Sequence, residues 1–203
     1  MEASKLIDVL EAINPQSNNL DNLYLKLIII RSKHILLRIA TPTELYLPEN
    51  FAQLALNFDE HNIYGVPFDI VPKENTDYDL MMRIMIEGKT ISPERIDAVT
   101  FEERNGENVA KVTDKTMYKS ANIHGKIEFI DVKNKKILIN TPFNITSTFA
   151  HHYAEVNGNK DACSEQTLKL LNTQAIDFPS DEALLKDTAR ELNLIFKNHY
   201  QKK

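Results

Sequence analysis

Met117-Tyr118-Lys119-Ser120-Ala121-Asn122-Ile123-His124-Gly125-Lys126-Ile127-Glu128-Phe129-Ile130-Asp131-Val132 carries the clearest structural pattern in the chain. Ile123, Gly125, Ile127 and Phe129 recur at every second position, with Lys126 and Glu128 between them. Side chains along a strand alternate between faces, so this period of two predicts a strand with one apolar and one wet side. Lys133-Asn134-Lys135 then reads as a turn, and Lys136 to Asn140 resumes an extended run. Pro142 interrupts it, because proline has no N–H to give a ladder. Asn144 to Tyr153 alternates again, with Ile145, Ser147 and Phe149 against Thr146 and Thr148.

Upstream, Tyr78 to Ile91 holds no breaker except Gly88 and predicts a long strand. Arg95 to Arg104 predicts another, ended by the hairpin signal Asn105-Gly106, with Val109 to Thr113 continuing after the turn. Together these segments predict an antiparallel β meander. Its apolar face needs a cover, which the C-terminus can supply. Pro179-Ser180-Asp181-Glu182 is a helix start, with Ser180 as N-cap and acids in the first turn. Leu185, Ala189, Leu192 and Phe196 then share one face, with Leu184, Thr188 and Ile195 beside it. A shorter helix is expected from Ser164, carrying Leu168 and Leu171.

Toward the N-terminus, Ala3, Leu6, Ile7, Leu10 and Ile13 recur at helical spacing until Asn14-Pro15. Leu20, Leu23, Leu27, Ile30, His34 and Leu37 predict a second helix over 19–40, closed by Thr41-Pro42. The pair resembles one unit of a tetratricopeptide-type array, and a single such unit cannot bury its own face. Pro48-Glu49 can open a helix through Phe51, Leu54, Ala55 and Phe58, and Val66 to Val71 reads as an edge strand containing Pro67. The expected class is therefore α+β: an antiparallel meander covered by a C-terminal helix, with an N-terminal helical hairpin. The expected division is a helical hairpin over 1–42 (readable as a repeat remnant) and an α+β domain over 43–203.

Composition narrows the chemistry. Hydrophobic residues at 42% and charged residues at 26% argue for a packed core rather than disorder. A net charge of −5 gives no basic field for nucleic acid. Lys119, Lys126, Lys133, Lys135 and Lys136 do gather around one hairpin, but Glu128 and Asp131 interrupt them. Cys163 is the only cysteine, which rules out an intramolecular disulfide and a thiolate zinc cluster. Its neighbours Asp161, Ala162 and Ser164 supply no positive field, so a structural thiol is expected. The five glycines form no phosphate loop. No run of about 18 apolar residues predicts a membrane span, and Met1 to Lys5 lacks the basic and apolar regions of a signal peptide.

Candidate catalytic groups are few. His151 and His152 are adjacent, and on a strand they point to opposite faces, so one metal would not take both. Ser147 near His151 is the best serine candidate, while Ser120 and Ser180 read as a strand residue and a cap. Asp77, Asp79, Glu102, Glu103 and Asp131 could pair across strands, yet Glu102-Glu103-Arg104 at a hairpin end is most simply a solvated tip. The residues therefore predict no catalytic, cofactor-binding or metal site, and no cofactor.

Asp77-Tyr78-Asp79-Leu80, Pro93-Glu94-Arg95-Ile96, Ser120 to Asp131 and Phe178-Pro179-Ser180-Asp181-Glu182 resemble segments of an uncharacterised family of Gram-negative envelope proteins, often lipoproteins. Some of its members carry tetratricopeptide-like helices upstream, and the resemblance spans roughly residues 60 to 200. The strand–Asp–turn–strand piece is also similar to the α/β domain of curli-secretion-type lipoproteins. The family hairpin often has Thr-Gly where this chain has Asn134-Lys135, and the lipidated N-terminal cysteine has no counterpart here. The resemblance implies a place in the cell envelope or periplasm, and the well-patterned core without a catalytic constellation predicts a non-enzymatic protein there that binds or scaffolds another envelope protein through its sheet or its N-terminal helices. The resemblance implies contact with a membrane only through a lipid anchor that this sequence lacks, and no nucleic-acid partner. A hydrolase using His151 or His152 with a carboxylate is the alternative from the residues. A cytoplasmic structural module is the alternative from the missing export signal. The oligomeric state is left open.

Overall fold

The computed structural model describes residues 23–25, 27–29, 34–58, 62–63, 66–67, 69–71 and 78–200. The helix expected over Ala3 to Ile13, its Asn14-Pro15 breaker, His61 and Asp77 lie outside the described residues. In chain order the elements are β1 (His34–Ala40), α1 (Phe51–Ala55), β2 (Asn62–Ile63), β3 (Val66–Pro67), β4 (Asp69–Val71), β5 (Leu80–Ile91), β6 (Arg95–Asn105), β7 (Asn108–Asp131), β8 (Lys136–Gly158), a 3-10 turn (Lys160–Ala162), α2 (Glu165–Leu171) and α3 (Asp181–Tyr200). Residues 23–25 and 27–29 are helical ahead of β1. The fold is α+β and mostly strand. No helix among the described residues is long and apolar enough to cross a membrane.

The sheet runs β4-β1-β5-β7-β6, with β8 also on β7. Its connections are mixed rather than purely antiparallel, because β1 runs parallel to both β4 and β5. This corrects the second-helix expectation, since His34–Ala40 is a strand. The cause is burial on both faces. Neighbours Ile35 and Leu36 are both buried, and an interior parallel strand carries a continuous apolar run instead of an alternating one. In so dense a run, the three- and four-residue steps through Ile30, His34 and Leu37 carry no helical information. Pro142 does not break β8. Among the described residues the strand pairs with β7 alone, and a strand with one open side is where proline is tolerated. The pieces expected before and after residue 115 are likewise one strand, β7.

The chain divides into two spatial units, and β5, β7, β8 and α3 contribute residues to both. The first comprises residues up to 89, 123–145 and from 186 onward. Here β5 and β7 are antiparallel: the Val132 N–H donates to the Asp79 carbonyl at 2.8 Å, while Arg83 meets Glu128. Ile123, Ile127 and Phe129 form the predicted apolar face, and α3 covers it. Tyr200 packs on Phe129 with ring centroids 5.1 Å apart, and Phe196 stacks on Phe58 at 4.2 Å. Burying each such ring contributes about 1.5–3 kcal/mol. Asn193 fixes the helix by donating to the carbonyls of Ala55 and Asn57 at 3.2 and 3.0 Å.

The alternation argument misplaced one residue of this unit. Glu128 lies on the face expected to be wet, yet its side chain is 1% exposed. The Arg83 Nε donates to it at 2.7 Å and the Lys126 ammonium lies 3.1 Å away. Burial pushes this carboxyl up, but the two cations outweigh it and hold it below its usual range. At the following turn, buried Asp131 accepts from the Asn134 N–H at 3.0 Å, the Asn134 amide at 2.7 Å and the Tyr24 hydroxyl at 3.2 Å.

The second unit comprises residues 90–122 and 146–185. Here β6, the first half of β7 and the last half of β8 form the predicted antiparallel meander. Arg95 pairs with Tyr118 at one end of β6 and Asn105 with Asn108 at the other. Asp114 meets His152, and Asn122 meets Thr146, so β7 and β8 run in opposite directions. Ser180 caps α3 as expected, accepting from the Ala183 N–H at 3.1 Å, and Ser164 caps α2 through Thr167 at 3.2 Å.

Candidate interaction surface

β6 is held on one side only. Among the described residues it ends the sheet order and pairs with β7 alone. The hairpin between them has two residues in its loop, Gly106 and Glu107, with Gly106 at φ 60°. Glycine at the first central position suits the turn that matches strand twist. In such a loop Asn105 and Asn108 form a mutually hydrogen-bonded pair, and bonded pairs alternate along an antiparallel ladder. Odd residues of β6 therefore bond to β7. The N–H and C=O of Ile96, Ala98, Thr100, Glu102 and Arg104 face the open edge.

Side chains along this strand are exposed on both faces. Ile96 is 50%, Val99 64% and Phe101 39% exposed. A long exposed edge carrying apolar side chains is a template for pairing with another strand. The charges expected to blunt it are partly engaged elsewhere. Arg95 pairs with Asp97 at 3.0 Å and lies over the Tyr118 ring, and Arg104 pairs with Glu102 at 3.1 Å.

The two ends of the edge are braced. Glu103, expected as part of a solvated tip, instead turns to the start of α2. It accepts from the Ser164 N–H at 2.7 Å, the Ser164 hydroxyl at 2.8 Å and the Thr167 hydroxyl at 2.9 Å. Burial raises this carboxyl, but those donors outweigh it and lower the pKa overall. Asn105 adds a bond to the Asp161 carbonyl at 3.1 Å. At the other end Lys119 is 7% exposed, within 3.0 Å of a carboxylate oxygen on Glu94 and on Asp181, and donates to the Pro179 carbonyl at 2.9 Å. Asp181 first, then Glu94, hold the ammonium above its usual range. A cavity of about 330 Å³ beside it is lined by Arg95, Tyr118, Lys119, Ser120 and Thr148 among others.

The residues singled out for chemistry are dispersed. Ser147 and His151 lie four positions apart on β8, about 13 Å along an extended strand. The His151 Nε2 is 2.7 Å from the Gln174 carbonyl, and its ring neighbours Phe149 and Tyr153. His152 takes the opposite face, as expected, with Nε2 2.5 Å from Asp114 Oδ1 and both side chains well exposed to solvent, at 45% and 31%. Neither lines the cavity beside Lys119. His124 lies across from Gly88. Burial first, then Glu103, pushes the Cys163 thiol up, which keeps it a thiol at neutral pH. Among the described residues no group of three His, Cys, Asp or Glu side chains could hold a metal ion.

No family model matches the chain, and no curated protein does. Among solved structures, a minor lipoprotein from Acinetobacter baumannii is similar at 11% identity and a TM-score of 0.28, covering 84% of this chain and 97% of that one. A neuraminyllactose-binding hemagglutinin homolog from Helicobacter pylori is similar at 10% identity and a TM-score of 0.33, covering 83% of this chain and 85% of that one.

Proposed function

We propose that the chain is a non-enzymatic cell-envelope protein that binds another protein by pairing a strand with the open edge of β6. The observation that carries the binding mode is β6 itself: eleven residues, one edge without a partner strand among the described residues, and Ile96, Val99 and Phe101 exposed. Strand addition draws affinity from main-chain bonds and specificity from alternate side chains, and β6 offers both. The envelope assignment is supported by the sequence resemblance over Pro93 to Ile96, Ser120 to Asp131 and Phe178 to Glu182.

Ala98→Pro tests the mode. It removes an N–H that faces the open edge and leaves the odd-numbered bonds to β7 intact. A protein captured from a detergent extract of the envelope by the wild-type chain, and lost with Ala98→Pro, is the expected result. Equal capture by both, or capture by neither, overturns the binding of another envelope protein through this edge.

The hydrolase alternative rests on His152 and Asp114, 2.5 Å apart on neighbouring strands. A general base needs a substrate held against it, and this pair stands open to solvent. Turnover of chromogenic esters that His152→Ala abolishes would support it. No turnover by the wild-type chain would end it.

A further inference from the structure

We infer that the strand that pairs with β6 is β6 of a second copy, joined antiparallel with Val99 opposite Val99. This rests on the edge-binding mode proposed above and adds the identity of the occupant.

Charge and register along β6 favour a second copy. Two copies meeting at this edge about a two-fold axis must run antiparallel, and residue i of one faces residue j of the other. Because even residues carry the outward N–H and C=O groups, even positions must face even ones and odd positions odd ones. That leaves a short set of registers. Centring on Ala98 puts Glu94 opposite Glu102, and centring on Thr100 puts Asp97 opposite Glu103. Centring on Asp97 puts that carboxylate opposite itself. Like charges directly opposite destabilise a pair of strands. Centring on Ile96 or on Phe101 avoids like charges but gives one kind of complementary pair, Arg95 with Asp97 or with Glu107. Centring on Val99 gives two, Arg95 opposite Glu103 and Glu94 opposite Arg104, each twice by symmetry and with no like-charge pair, so that exposed side chains now paired with Asp97, Glu102 and Lys119 also gain partners across the seam. At its centre, the most exposed apolar side chain of β6 meets itself in a non-hydrogen-bonded pair, where side chains come closest.

Such an edge joins one strand to one strand and buries little area, so the dimer is a weak one. The experiment is sedimentation equilibrium of the full chain up to about 0.2 mM, paired with a disulfide test of register. In a Cys163→Ser background, Val99→Cys places two thiols on Cα atoms about 4.5 Å apart, within disulfide range. Phe101→Cys places its thiol opposite Asp97 instead. The expected results are a monomer–dimer equilibrium, a dissociation constant raised at least about tenfold by Ala98→Pro, and rapid oxidation to a covalent dimer for Val99→Cys only. Equal cross-linking at 99 and 101 overturns the register. A chain that stays monomeric overturns the inference. If that monomer still captures an envelope protein in a way that Ala98→Pro abolishes, the edge-binding mode survives without it. If capture is also absent, both fall together.

Discussion

Gly125→Ala should unfold more of this protein than any other single methyl group. Gly125 sits in β7 facing β5, and a Cβ placed there would lie 1.9 Å from the Met85 carbonyl oxygen and 3.0 Å from the Phe143 ring. A carbon tolerates a carbonyl oxygen at about 3.3 Å, so the strands must separate by more than an ångström. The opposing atom is backbone and cannot swing aside. Separation on that scale breaks at least two ladder bonds beside Ile84 and Ile86, both buried. Each buried amide or carbonyl left without a partner costs about 1–3 kcal/mol. Two broken bonds leave four such groups, so the expected loss is at least about 4 kcal/mol, or a Tm fall of about 10 °C or more for a chain of this length. Thermal unfolding followed by circular dichroism reads it directly. A Tm within about 2 °C of wild type, with the near-ultraviolet spectrum unchanged, would refute the claim that the β5–β7 ladder is rigid here.

Gly106→Ala should behave differently. Nothing lies within 4 Å of its added Cβ, so only the φ of +60° matters, at about 1–2 kcal/mol, checked by the same melt. Asp131→Ala removes the acceptor of the Asn134 N–H and of the Tyr24 hydroxyl, while the Asn134 amide keeps its bond to the Tyr24 oxygen, and should cost about 2–4 kcal/mol in urea unfolding, with the m-value unchanged. Glu103 has a folded pKa below its ordinary 4.5. Its contribution is therefore fully present above pH 4.5 and lost as the pH falls through the folded value. Hydrogen exchange at the Ser164 and Thr167 amides should accelerate over that acidic window, and Glu103→Gln should flatten the dependence.

Much of this was legible along the chain, for physical reasons. The strand through Ile123, Ile127 and Phe129 alternates because one face meets α3, and Ser180 announces that helix because its hydroxyl caps it. Adjacent His151 and His152 did part to opposite faces. What escaped depends on partners distant in sequence. β1 lost its alternation because both of its faces are buried, Ile35 on one and Leu36 on the other, in a strand paired in the sheet with β4 and β5. Glu128 is buried with two cations beside it, and the closer of them, Arg83, is 45 positions away. Glu103 left the solvated tip for Ser164, 61 positions on. The Asn105-Gly106 turn could be read locally, but the open edge could not. Both faces of β6 mix apolar and charged residues, so alternation says nothing about which side is covered.

The parallel pairing of β1 also bears on the order in which the chain is made. Ile35 leaves the ribosome about 45 residues before Leu80, its neighbour in the finished sheet. At translation rates of about 5–20 residues per second, that is a wait of several seconds for the segment His34-Ile35-Leu36-Leu37-Arg38-Ile39-Ala40. Throughout that interval this apolar segment has no strand β5 to pair with. Nascent chains arrested before residue 80 should accordingly be the ones that chaperones hold and that aggregate on release, whereas chains arrested after Ile91 should be far less prone to either.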